Sequence, residues 1–344
     1  MNSTRLNAAV PLGGAERARP LLRIENLTKL YPIMRRGLFR RRQTGTIRAV
    51  DNVSFSVTSG ETLGLVGESG CGKTTTARSM LHLVEPSGGR AEFDGTDIIQ
   101  TFRGGKRNEM LAVRRRLQYV FQDPYLSLNP RWTIAQTLSE PLRVHGLLPP
   151  SAWRERISHL LEVVGLDPSL AWCYPHEISG GQRQRVGIAR ALAVEPRLIV
   201  CDEPVSSLDV SVRAQILNLL VKLQDELGLT YLYISHDLSS VRFISTRVAV
   251  MYLGKIVEIA AVDALFEQPR HHYTVALLQA IPVPDPEVRG ARTKLKGEVP
   301  SAMRMPSGCR FHPRCPAALP VCRDVAPELR EMDTDHFAAC HNPN

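Results

Sequence analysis

The sequence predicts an α/β protein built on a mixed, largely parallel sheet, with an antiparallel β portion and a helical portion attached. Three observations carry that reading. A short apolar run, "ETLGLVG" (61–67), ends at a glycine loop, and a helical pattern follows over about 73–84. "RLIVCDEP" (197–204) and "TYLYISHD" (230–237) are continuous apolar runs, as in strands buried on both faces. Between them "VSVRAQILNLLVKLQDEL" (210–227) has the period of a helix. Strands that alternate with long helices assemble in parallel order.

Each element follows in turn. Residues 1–20 are rich in Gly, Pro and Arg and predict a flexible tail. They hold no apolar core of signal-peptide length, so the chain is expected to stay in the cytosol. "LLRIENLTKLY" (21–31) and "AVDNVSFSVTSG" (49–60) alternate apolar and polar residues, as antiparallel strands do. Between them, "RRGLFRRRQTGTIR" (35–48) concentrates six arginines and is expected to be a solvated loop. Residues 125–180 carry helical patterns broken by Pro130, Pro141, Pro149-Pro150 and Pro168, which predicts a mostly helical subdomain. From about 260 the composition shifts to Pro, His and Cys. The expected division is a tail (1–20), a main domain (21–260) and a small Cys/Pro-rich C-terminal extension (261–344).

Composition narrows the function. At 344 residues, 43% hydrophobic and 22% charged, the chain is that of a globular protein. No apolar run approaches the ~20 residues that span a bilayer. The net charge of +9 suits nucleic acid, an anionic membrane face or nucleotide phosphates. No interleaved aromatic platform for single-stranded nucleic acid is present, and no nucleic-acid partner is expected. Seven cysteines in a cytosolic chain are not read as disulfides.

The chemistry sits in a few motifs. "GESGCGKT" (67–74) fits G-x-x-x-x-G-K-[ST] between a strand and a helix, the context that makes it a phosphate-binding loop. Its backbone amides form a nest for a β-phosphate, Lys73 brings a cation to the β- and γ-phosphates, and Thr74 offers a hydroxyl to Mg²⁺. Cys71 lies in the loop with no redox role. Asp202 ends a buried strand, where a carboxylate can hold Mg²⁺, and Glu203 beside it can orient or deprotonate a water. His236 ends the neighbouring strand and faces the same edge. In "ISGGQRQRVGIARAL" (178–192), Ser179 is a helix N-cap, and Gly180-Gly181 permits close approach to an anion at a helix N-terminus.

Together, "GESGCGKT", Gln122 in "VFQDP", "ISGGQ" (178–182), "LIVCDEP", "SSLD" (206–209) and His236 resemble, in order, the motifs of the ATP-binding cassette family, over roughly residues 21–260. Ile178 and Ser207 are small departures from the usual leucine and alanine. The resemblance implies a P-loop NTPase fold of that type, with ATP and Mg²⁺. It implies an ATP site of Tyr31 stacked on adenine, Gly67, Glu68, Ser69, Gly70, Cys71, Gly72, Lys73, Thr74 and Thr75, with Gln122, Asp202 and His236. Mg²⁺ would be held by Thr74, Gln122 and Asp202, and Glu203, His236 and Gln122 would serve hydrolysis. Two cassettes of this family pack head to tail, so Ser179, Gly180, Gly181, Gln182 and Asp209 would meet the ATP of the partner.

The extension refines the resemblance. "PRHHYTVALLQAIPVPDP" (269–286), "LKGEVPS" (295–301) and "PSGCRFHPRCPAALPVC" (306–322) look like the extension of oligopeptide and dipeptide importer ATPases, as do residues 31–55 and 121–131. His272 departs from the proline usual after histidine. Nickel importers share much of the pattern, and a soluble cassette acting on nucleic acid is the reading from another class. The group implies peptide import at the cytoplasmic face of the cell membrane. Its partners would be a second, paralogous ATPase subunit, two integral permeases and an extracytoplasmic peptide-binding protein. Cys309, Cys315, Cys322 and Cys340 are spaced C-x5-C-x6-C-x17-C, without the close pairs usual for structural zinc. The resemblance implies a [4Fe–4S] cluster there; zinc or unligated thiols are the alternatives. Lying far along the chain from the last cassette motif, this tail is expected to leave ATP binding largely untouched.

Overall fold

The structure, a computed structural model, describes residues 19–36, 41–281, 298 and 300–344. Its first sheet is antiparallel, in the order β2-β1-β4-β5. Strands β1 (Leu22–Arg36) and β2 (Arg41–Val57) pair from Leu22↔Val57 to Arg36↔Arg41. On the other side of β1 lies β4 (Gly88–Phe93), followed by the short β5 (Thr96–Asp97). Alternation buries Leu22, Ile24, Val53 and Phe93 against the rest of the domain.

The arginine-rich stretch departs from the expected loop. Residues 35–36 and 41–48 lie in the two strands, because the hairpin satisfies their backbone groups by pairing. Pro32, which has no N–H to donate, faces Thr46 in a part of β1 that β4 does not reach, so no ladder bond is lost on that side.

The second sheet holds the chemistry. Its order is β11-β12-β10-β9-β3-β8-β7-β6. The central strands are parallel: β6 (Leu117–Val120), β7 (Leu198–Asp202), β8 (Thr230–Ser235), β3 (Thr62–Val66) and β9 (Arg247–Tyr252). Strands β3, β7 and β8 are buried along their whole length, as continuous apolar runs require. Antiparallel strands complete the far side: β10 (Lys255–Ala261), then β12 (His336–Ala338) and β11 (Arg330–Asp333).

Helices cover the sheet and fill the middle of the chain. Helix α1 (Lys73–Met80) follows β3 and stops short of residue 84, since His82 takes φ 52. Helices α2 (Ile98–Gly104) and α3 (Arg107–Arg116) precede β6, and α4 (Pro124–Ser127) follows it. The helical region continues with α5 (Ile134–His145) and α6 (Trp153–Val163). Pro141 does not break α5, as was expected, but lies inside it; buried Leu138 and Leu142 anchor the helix on either side. Next come α7 (Gly180–Leu192), α8 (Val210–Leu227), α9 (Leu238–Ile244), α10 (Val262–Glu267), α11 (His272–Gln279) and α12 (Val321–Asp324). Among the described residues no helix is long and apolar enough to cross a membrane.

The C-terminal segment does not stand apart. Besides lending β11 and β12 to the main sheet, it is tied to β10 by fully buried Glu258. That carboxylate accepts from His336 Nε2 (2.7 Å) and from the backbone N–H groups of Arg270 (2.6 Å) and His271 (2.9 Å). A buried carboxylate needs such a set of donors.

Candidate functional site

The loop between β3 and α1 is shaped by its glycines and its lysine. Gly67 (φ 150) and Gly72 (φ 112) adopt backbone conformations that side chains avoid, and a Cβ on either would stand 2.1 Å from Met251 O or 2.2 Å from Ala49 O. Lys73 is buried, and its ammonium donates to the carbonyls of Gly67 (2.7 Å) and Glu68 (3.2 Å). A third, longer contact runs to Cys71 Sγ (3.9 Å), so the ammonium is turned onto the loop itself. Ser69 and Gly70 are exposed at the loop's crest, whereas Cys71 is buried and its thiol is pushed up by burial, a state without nucleophilic character.

At the adjoining strand end stands Asp202. Its side chain accepts from Thr74 Oγ1 (2.9 Å) and from the phenol of Tyr119 (2.5 Å). Burial raises the Asp202 pKa, and these two donors, with Arg78 nearby, hold part of that rise back. A carboxylate and a hydroxyl meeting beside a lysine-bearing loop form a donor set that fits a hard cation such as Mg²⁺.

Glu203 completes the centre. It takes φ 46, rare for a residue with a side chain, and its N–H donates to Ile234 O (2.9 Å). That twist brings its carboxylate between two neighbours: Gln122 Nε2 donates to Oε2 (3.0 Å), and His236 Nδ1 lies 3.1 Å from Oε1. Glu203 is mostly shielded while His236 is open to solvent. Lys73, Thr74, Gln122, Asp202, Glu203 and His236, which the sequence singles out from four separate segments, therefore share one site.

Other expected residues lie elsewhere. Tyr31 lies on β1 with the Lys29 ammonium 4.8 Å from its ring centroid. Ser179 caps α7, accepting from Gln182 N–H (3.2 Å), while Gln182 Oε1 accepts from Ser179 N–H (2.9 Å). Gly181 lies against Val212, and Asp209 caps α8 by accepting from Val212 N–H (2.9 Å). Among the described residues no hydrogen bond joins Ser179–Gln182 to the 67–75 loop.

The cysteine-rich tail reaches the loop. Arg314 grips the Glu68 carboxylate with both terminal nitrogens (2.9 and 3.1 Å), and Tyr273 OH accepts from the Glu68 N–H (2.8 Å). The expected separation between tail and loop does not hold, because the chain folds back across β9 and β10. Burial pushes the thiols of Cys309, Cys315 and Cys340 up, the last to about 11, and neighbouring thiols of the four raise each of them further. The four cysteines thus share one neighbourhood. Among the described residues, however, no three His, Cys, Asp or Glu side chains are arranged to hold a metal ion.

Sequence reasoning missed Tyr119, Tyr273 and Arg314. Tyr119 had a faint signal, lying three residues before Gln122 in the strand "LQYV". Arg314 had none, since its partner lies 246 residues away.

Comparison with known proteins agrees with this geometry. Residues 50–206 match the family described as ABC transporter, and residues 257–322 match the oligopeptide/dipeptide transporter C-terminal region. The chain is 50% identical over 323 residues to the oligopeptide transport ATP-binding protein AppF of Bacillus subtilis, covering 93% of this chain and 97% of that protein. It is 53% identical to the probable peptide ABC transporter ATP-binding protein y4tS of Sinorhizobium fredii, covering 93% and 89%. Among solved structures, the ATP-binding cassette MJ0796, a dimer in a post-hydrolysis state with ADP and Pi, superposes with a TM-score of 0.60 at 30% identity, covering 70% of this chain and 98% of that one.

The Asp202 cluster yields a pH prediction. Only the charged carboxylate can hold a cation, and its raised pKa means that this capacity fades as pH falls toward the acidic range. In Tyr119→Phe the carboxylate loses a donor that favours its charged form. Magnesium-dependent binding of a nucleoside triphosphate should then fade at a higher pH than in the wild type. Superimposable binding–pH profiles would refute the role given to Tyr119.

Proposed function

Because the chain belongs to the ABC transporter family, we propose that it is the ATP-hydrolysing subunit of a di- or oligopeptide importer. The observation that carries this reading is the Glu203 carboxylate, held between Gln122 and His236 beside the Thr74–Asp202 pair. Peptide cargo is supported by the match of residues 257–322 and by the peptide-transport relatives. The division proposed for the chain is a cassette over 21–260, with a helical subdomain at about 125–180, flanked by a tail (1–20) and an extension (261–344).

In this reading the amides of residues 67–75 and the Lys73 ammonium bind the phosphates, and Tyr31 receives the adenine. Thr74, Gln122 and Asp202 would hold Mg²⁺, which when bound neutralises charge on the β- and γ-phosphates. Glu203 orients a water for in-line attack and takes its proton as the bond to the γ-phosphorus forms and ADP departs. His236, its Nδ1 3.1 Å from the same carboxylate, would help to fix its direction and face the γ-phosphate. Ser179, Gly180, Gly181, Gln182 and Asp209 form the surface for the nucleotide of a second, paralogous ATPase subunit. Two permeases and an extracytoplasmic peptide-binding protein would complete the machine, with this subunit peripheral at the cytoplasmic face.

For the tail we propose a [4Fe–4S] cluster on Cys309, Cys315, Cys322 and Cys340. Its support is the spacing of the four cysteines, three of them within the match to the oligopeptide/dipeptide transporter C-terminal region; with no ligating group among the described residues, they would have to draw together. Anaerobically purified protein should carry about four irons per chain. Colourless protein with stoichiometric zinc would overturn the cluster and leave the ATPase reading intact.

Two substitutions test the ATP site. Glu203→Gln keeps the shape but loses the basic oxygen, so ATP binding should persist while hydrolysis falls by at least about a hundredfold. Turnover near the wild-type value would remove Glu203 from the role of base. Ser179→Arg should bind ATP at its own loop normally yet block hydrolysis in the assembled complex, because the bulk falls on the partner's nucleotide. A collapse of its own ATP affinity would sink the trans arrangement.

A further inference from the structure

We propose that Arg314 is a positioning residue for the phosphate loop, and that the segment between Cys309 and Cys315 braces the loop from behind to keep it receptive to ATP. The inference rests on the ATP-binding reading above and adds a residue that lies outside the cassette motifs.

The brace has two arms. In the first, the Arg314 guanidinium meets the Glu68 carboxylate end-on through Nη1 and Nη2, nitrogen to oxygen at 2.9 and 3.1 Å, with only 7% of the arginine side chain exposed. This fork-to-fork geometry fixes direction as well as charge, which a lysine does not do. In the second, Arg310 donates to the Asp51 carboxylate and to the carbonyl of Leu253. The adjacent Gly254 N–H donates to Cys71 O (2.7 Å), and Asp51 N–H donates to Gly254 O (2.8 Å). The loop is thus held near its entry at Glu68 and near its exit at Cys71. Between the arms Phe311 is buried against Tyr252 and Tyr273, both with ring centroids 5.4 Å away. Tyr273 is the residue whose phenol oxygen accepts from the Glu68 N–H.

The chemistry explains what the brace does. Glu68 is a carboxylate inside a loop that must receive a polyphosphate, and an uncompensated negative charge there repels the ligand. Arg314 cancels that charge and turns the side chain toward the tail, away from the nest. Removing Arg314 would free an anion beside the triphosphate site and release one end of the loop. An ion pair that merely fastens the tail would instead change stability without changing affinity for ATP. The two roles therefore make different predictions for one double substitution.

The test uses the full chain, with binding of a fluorescent ATP analogue and steady-state hydrolysis in the assembled complex. Arg314→Gln should raise both the Kd and the KM for ATP about three- to tenfold, with kcat changed by less than about twofold. Arg314→Lys, which keeps the charge but not the fork, should fall between that variant and the wild type. Adding Glu68→Gln to Arg314→Gln removes the freed anion and should recover most of the lost affinity. Unchanged ATP affinity in Arg314→Gln overturns the proposal. So does a loss that the double variant does not recover, since the freed Glu68 charge would then not be what costs affinity. Should Arg314→Gln fail to fold, the double variant decides: near-wild-type affinity supports the brace and weak affinity overturns it. Lys73→Ala serves as the reference. If it binds ATP normally, the ATP-site reading itself fails, an outcome separate from the fate of Arg314.

Discussion

A buried ammonium organises this protein. Lys73 has to keep its charge inside the fold, and it does so by donating to two carbonyls of its own loop. Those carbonyls can converge on it only if the loop curls, and the curl demands Gly67 and Gly72 where Met251 and Ala49 press close. The walls come from β9 and from β2, so the antiparallel sheet and the parallel sheet must meet at this point. Thr74, the next residue, then reaches Asp202 at the end of β7. The loop is less a feature set upon the fold than the place where its strands are forced to agree.

Charge balance extends outward from that point. Asp202 is buried and leans on two hydroxyl donors, a state that a cation would relieve. Glu203, one residue on, meets the same strand end from a strained backbone and remains accessible to two polar neighbours. Adjacent carboxylates thus have opposite surroundings, one buried among hydroxyl donors and the other set between an amide and an imidazole. On the far side, Glu68 repeats the pattern in miniature, an acid beside an anion site that is tolerable because Arg314 meets it squarely. Among the described residues, Asp202, Glu203 and Glu68 each have hydrogen-bond or ion-pair partners of their own.

What the sequence reveals and what it hides follow from how contacts are made. Buried parallel strands write themselves as apolar runs, so 197–204 and 230–237 could be read directly, and the glycines and lysine of 67–74 follow from local geometry. Gln122, Glu203 and His236 were legible through their family motifs, although only the fold shows that their side chains touch. The arginine hairpin was not legible, because charged strands in a two-stranded arm carry no apolar alternation to reveal them. Pro141 misled for a related reason: tertiary anchors at Leu138 and Leu142 outweigh a local breaker. Arg314 lay beyond any local rule, since no pattern ties it to a residue 246 positions away.

One further connection explains how events at the phosphates could be felt elsewhere. Gln122 is bound to Glu203 on one side and leads directly into α4 on the other. Tyr125 in that short helix is stacked on Arg183, whose carbon lies 3.6 Å from the ring centroid, and Arg190 donates to Ser127 O (2.6 Å). Both arginines belong to α7, the helix that begins at Ser179. Arg183 is buried and also donates to Pro175 O (2.6 Å), so it cannot easily change partners on its own. A shift of Gln122 must therefore either break a cation–π stack or carry α7 with it, and the second costs less when the helix moves as a body. Packing thus runs from Glu203 through Gln122 and α4 to α7. The same two arginines show how a helix with so many charges can be buried: their charged ends are spent on Tyr125, Pro175 O and Ser127 O.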